Sequence, residues 1–144
     1  MKNRKDDLAA SKMPKDAWTA KTRSKLLNKD NEAERLVEDL LKAMSVKYFK
    51  ERPIEIEGKR SFIDFLVVSM DMEKKRTAIE VDGGYHFTPE QQVIDRDREK
   101  RLLKSSRVWS ILRISSGVAR KITRKQLESE LKTLPKGVVR RLYE

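Results

Sequence analysis

The run Phe62-Ile63-Asp64-Phe65-Leu66-Val67-Val68 constrains the fold more than any other stretch of the 144-residue chain. Large apolar side chains stand at both odd and even positions, so a strand here has two faces that must both leave water. The strand is therefore central in its sheet, and with the helices read below the expected class is α/β. One carboxylate, Asp64, is set into the run. A buried carboxylate without a partner costs roughly several kcal/mol, so Asp64 needs one.

A second stretch supplies it. In Ala78-Ile79-Glu80-Val81-Asp82-Gly83-Gly84-Tyr85-His86, three apolar residues are interleaved with two carboxylates, and a paired-glycine bend leads to the single histidine of the chain. On a strand Glu80 and Asp82 project from one face, two negative charges side by side. The economical reading is that Asp64, Glu80 and Asp82 converge on a divalent cation. Carboxylate oxygens with water suit Mg²⁺ or Mn²⁺. With no cysteine and one histidine, a typical zinc site and a disulfide framework are both excluded.

The remaining elements follow from period and punctuation. Leu36, Val37, Leu40, Leu41 and Met44 fall at helical spacing and predict a helix over about 32–44, with Asn31 and Glu34 as a capping-box-like start. Glu34, at the margin of that apolar stripe, is also a candidate to look toward the carboxylates. Residues 46–57 alternate into a strand, and Glu57-Gly58-Lys59-Arg60 is turn material leading into the Asp64 strand. Thr88-Pro89-Glu90-Gln91 starts a helix reaching about Lys104, on which Asp95, Arg98 and Leu102 share a face. Val108–Ile114 predicts a fourth strand, and a basic helix over about 123–131 closes the chain. The order is helix, three strands, helix, strand, and the expected sheet is a mixed one of four strands.

Charge is distributed unevenly. Residues 1–30 carry nine Lys/Arg against four Asp, and residues 118–144 carry eight against three Glu; residues 31–117 are close to balance, with seventeen against sixteen. We therefore expect three segments: a basic N-terminal arm at 1–30, a core at 31–117 and a basic C-terminal helical extension at 118–144. Two basic ends around a near-neutral core suit a polyanion. No 20-residue apolar span and no signal-peptide pattern is present, so a soluble cytoplasmic protein is expected.

Taken together, Glu34, Asp64, Glu80-Val81-Asp82-Gly83, His86, Asp95 with Arg98 and Leu102, and the strand ending in Leu112-Arg113 resemble the restriction-endonuclease-like, or PD-(D/E)XK, superfamily. Within it the chain is most similar to the DUF559 proteins, the very-short-patch mismatch endonucleases and the EDxHD homing endonucleases. The resemblance spans residues 31–117. It implies an αβββαβ core and Mg²⁺-dependent hydrolysis of DNA phosphodiester bonds, by a nicking, repair-like enzyme or by a homing or mobile-element nuclease. Two positions depart from the family pattern: Ile63 stands at the motif's proline, and Asp82 stands where many members keep lysine. Either His86 supplies what that lysine would, or the copy has lost activity and binds nucleic acid without cutting it.

On this reading Asp64 and Glu80 bind the metal, with Asp82 as a further ligand or orienter. His86, with a near-neutral pKa, serves as general base or protonates the leaving oxygen. Glu34 and Asp95 complete the candidate catalytic set by holding a water, a second metal or His86. Lys50, Arg52, Arg98, Arg113, Arg120, Lys121 and Arg124 are the candidate DNA contacts, with pairing to the carboxylates as the other role open to Arg98, Arg113 and Lys50. DNA is the expected partner, with RNA the weaker alternative, and monomer and homodimer are both open.

Overall fold

The computed structural model describes residues 31–69, 73–83 and 88–143. The chain divides into residues 1–31 and 32–144, and the fold that follows is that of the second unit. The expected basic arm at 1–30 lies outside the described residues, as does His86.

The elements are α1 (Asn31–Ala43), β1 (Lys47–Ile56), β2 (Lys59–Val68), β3 (Arg76–Asp82), α2 (Pro89–Lys104), β4 (Ser110–Ser115), α3 (Ser116–Ala119), α4 (Arg124–Thr133) and β5 (Val139–Leu142). They form an α/β fold around one mixed sheet of strand order β1-β2-β3-β4-β5. Strands β1, β2 and β3 make an antiparallel meander, while β4 lies parallel to β3 and β5 parallel to β4. The first hairpin turns on Glu57 and Gly58 alone, since Ile56 pairs with Lys59. Both turn residues have positive φ, 53° and 76°, the left-handed geometry whose twist matches a two-residue hairpin.

Each face of the sheet has its own core. Phe65 and Val67 of β2, Ile79 and Val81 of β3 and Leu112 and Ile114 of β4 pack with Ala33, Val37 and Leu41 of α1 and with Leu127 of α4. Leu66, Ala78 and Ile111 pack on the other side against Leu102 of α2 and Val108. The two-faced apolar run of β2 is thus covered on both sides, as its composition requires. Helix α2 begins as expected: Thr88 Oγ1 accepts from the Gln91 amide and Pro89 is the first helical residue, a cap that contributes about 1 kcal/mol. No helix among the described residues is long and apolar enough to cross a membrane.

The sheet corrects one expectation. It has five strands, because residues 139–142 of the expected helical extension add β5 to its edge. The two arginines at the centre of Val139-Arg140-Arg141-Leu142 hide the strand, yet its alternation sends them to opposite helices. Arg140 Nη1 pairs with Glu130 of α4 at 2.7 Å, and Arg141 Nη2 pairs with Glu99 of α2 at 2.7 Å.

Candidate functional site

The antiparallel ladder of β2 and β3 runs from Val68↔Arg76 to Phe65↔Ile79. One step further would set Asp64 opposite Glu80, and there the backbone pairing gives way to a side chain. Asp64 Oδ2 accepts the Val81 amide at 2.9 Å. A carboxylate in place of a carbonyl lets the strands part while the buried N–H keeps an acceptor. Asp64 and Glu80 are 2% and 6% exposed, so two acidic groups sit inside the sheet at the point where it opens. Alternation along β3 places Glu80 and Asp82 on the side of α2.

That helix answers the charge. Arg98 Nη2 lies 2.8 Å from Glu80 Oε2 and donates to the Phe62 carbonyl at 2.6 Å. The expected inward face of α2 is present: Leu102 is buried, and Asp95 and Arg98 are half-buried. Asp95 accepts from Gln91 Nε2 at 3.0 Å.

Asp82, the expected third ligand, is instead engaged by the protein. Arg113 Nη1 donates to both its oxygens at 3.0 and 2.9 Å, and the Tyr143 hydroxyl donates to Oδ2 at 2.7 Å. Arg113 in turn donates from Nε to Glu99 Oε2 at 2.5 Å, and Arg141 Nη2 reaches both Glu99 oxygens. Burial alone would lower the pKa of Arg113, but the carboxylates of Glu80, Asp82 and Glu99 outweigh it and hold the guanidinium above its ordinary value. Arg113 takes the carboxylate-pairing role open to it: at 3% exposure it is the hub of a buried ion network.

Sequence reasoning missed Glu99, Arg141 and Tyr143. Glu99 was detectable in principle, since it lies three residues before Leu102 on the same helix face, but its neighbours Asp97, Arg98, Lys100 and Arg101 mask it.

The other candidates are dispersed. Glu34 is half-buried on α1, whose buried residues pack on the face opposite Leu66 and Ala78. Lys50 Nζ pairs with Glu38 at 3.2 Å, and Arg120 Nε with Glu32 at 3.3 Å. The Tyr48 hydroxyl also donates to Glu38 at 2.8 Å, and this bond, against opposition from burial and with help from Lys50, lowers the Glu38 pKa. Arg52, Lys121 and Arg124 are exposed, and Arg52 stacks over the Phe49 ring at 4.8 Å.

No protein-family model matches the chain, and no curated protein matches it. A crystal structure described as that of the protein of unknown function AF1548 is similar to it at a TM-score of 0.42 and 13% identity. The match covers 76% of this chain and 55% of that one.

Whether a divalent metal ion fits this site is decided by the donors. Among the described residues no group of three or more His, Asp or Glu side chains is placed to hold one. Asp82 does not fit, because arginine and tyrosine hold both its oxygens. Asp64 and Glu80 do fit, since Mg²⁺ keeps several waters and takes one or two carboxylates with substrate phosphate.

Tyr143 gives the network a measurable signature. Burial first, then the hydrogen bond and charge of Asp82, raise its pKa above 10.0, with Arg113 and Arg141 pulling the other way. The folded state thus holds the phenol proton where an unfolded chain releases it, and Tyr143's contribution to stability is complete below pH 10 and is lost as pH climbs beyond it. Denaturant unfolding at stepped pH is expected to show the stability gap between the native chain and Tyr143→Phe shrinking above pH 10. A gap that stays constant to pH 11 contradicts the Asp82 contact.

Proposed function

We propose that this chain is a metal-dependent DNA endonuclease of the restriction-endonuclease-like kind. The observation that carries the proposal is the buried pair Asp64 and Glu80 at the point where β2 and β3 part. The order helix, three strands, helix, strand expected for such a core runs through residues 31–115, and exposed Arg52, Lys121 and Arg124 offer phosphate contacts.

Asp64 and Glu80 would hold Mg²⁺ or Mn²⁺, which when bound supplies a Lewis acid toward the scissile phosphate and a water of lowered pKa. The Val81 amide fixes the orientation of Asp64. Arg98 balances the charge of Glu80 and, as an arginine, can pair with a phosphate oxygen of the substrate. His86, four residues beyond Asp82, is the proton-transfer candidate, since imidazole alone among ordinary side chains titrates near neutrality. Asp82 serves as an anchor: its bonds to Arg113 and Tyr143 fix the end of β3.

A second reading, a protein that binds nucleic acid without cutting it, is favoured by one observation. Glu80 and Asp82 are each ion-paired to an arginine, Arg98 and Arg113. Incubation of supercoiled plasmid with the full chain in Mg²⁺, Mn²⁺ or EDTA separates the two. Nicked or linear product that requires metal is the expected result. A protein that shifts DNA but leaves plasmid, mismatched duplex and single strands intact in either metal supports the second reading.

A further inference from the structure

Between α2, β4 and β5 lies a cavity of about 220 Å³, walled by Gln92, Asp95, Arg96 and Glu99 on one side and by Arg113, Arg141 and Tyr143 on the other. It holds several waters, or one phosphate group with waters around it. Its walls are unequal in hydrogen-bonding capacity. Glu99 has both oxygens taken by Arg113 and Arg141, and the Tyr143 proton is given to Asp82.

Donors, by contrast, are left over. Arg113 spends Nε on Glu99 and Nη1 on Asp82, while Nη2 makes no hydrogen bond to the described residues. The side chain is 4% exposed and cannot swing to solvent, and the residue lines the cavity. Arg141 uses only Nη2, and exposed Arg96 and Gln92 stand at the mouth. A planar guanidinium with free N–H groups beside a second and third arginine matches the oxygens of a phosphate group. Asp95 is the opposing element, a carboxylate on the same wall that is not paired to an arginine among the described residues.

We propose that this cavity is a phosphate-binding site, distinct from Asp64 and Glu80, that takes either a terminal phosphate of a nucleic acid or a free phosphate group. It does not rest on the nuclease reading, and the plasmid assay leaves it untouched.

The test is calorimetric titration of the full chain with inorganic phosphate at low salt. Arg113→Ala is unsuitable because it removes the network, so Arg96→Ala, Asp95→Asn and Asp97→Asn are used. Asp97 lies on the exposed side of α2 and controls for net charge. Saturable binding is expected, weakened about tenfold or more by Arg96→Ala, tightened by Asp95→Asn and little changed by Asp97→Asn. Absence of binding, equal affinity in Arg96→Ala, or equal tightening by both aspartate variants overturns the site. Competition by 5′-phosphorylated and 5′-hydroxyl oligonucleotides identifies the source. Stronger competition by the phosphorylated strand assigns a nucleic-acid end, and equal competition assigns the free phosphate group.

Discussion

Replacing Arg113 with alanine is expected to destabilise the chain by about 3–5 kcal/mol, the penalty for removing one partner of a buried ion pair. Asp82 and Glu99 are 5% and 4% exposed, and each loses its closest cation in the variant. Arg141 still reaches Glu99 and Tyr143 still reaches Asp82, which keeps the loss from rising further. Against a typical stability of about 5–15 kcal/mol the variant approaches unfolding. The penalty arises from orphaned carboxylates rather than from lost attraction. Combining Arg113→Met with Asp82→Asn and Glu99→Gln is therefore expected to cost less than Arg113→Ala alone. Denaturant unfolding of the full chain measures both. A loss below about 1 kcal/mol for Arg113→Ala, the size of an exposed pair, contradicts the network.

The second large effect falls on chemistry. Asp64→Asn retains an oxygen that accepts the Val81 amide but removes the charge. Glu80→Gln likewise keeps the shape while ending the ion pair with Arg98. On the proposed mechanism each variant loses at least about 10²-fold in plasmid cleavage, the scale seen when one element of transition-state charge stabilisation is removed. For Asp64→Asn stability falls by far less, since a neutral hydrogen bond replaces a charge-assisted one at a net difference of about 1–2 kcal/mol, while Glu80→Gln also carries the cost of leaving Arg98 without its carboxylate. A parallel unfolding curve separates the two causes. Cleavage that falls only in proportion to the folded fraction counts against a chemical role for either carboxylate.

These residues differ in how far their roles could be read from the chain. Asp64 and Glu80 stand out because each interrupts an apolar run, and burial of such a group needs an explanation wherever the strand lies. Helix α2 was legible from Thr88 and Pro89 because capping is local chemistry. Arg113 gave the right signal, a cation inside an apolar strand, but that signal is the same whether the partner is a phosphate or a carboxylate. Only the structure places Asp82 and Glu99 at its two edges. Strand β5 was hidden because Arg140 and Arg141 read as solvated charge, whereas each is matched by a glutamate on a different helix. The same masking concealed Glu99. Long-range charge pairing leaves no periodic trace in a sequence, so the apolar framework was readable and the ionic network laid over it was not.

Asp64 and Glu80, without Asp82, are the proposed divalent-metal site. Electron paramagnetic resonance titration of the full chain with Mn²⁺ tests it without relying on cleavage, comparing the native protein with Asp64→Asn. One bound Mn²⁺ in the native chain, lost in a variant that remains folded, is the expected result. Equal Mn²⁺ binding by the two proteins, or none by the native chain, contradicts it.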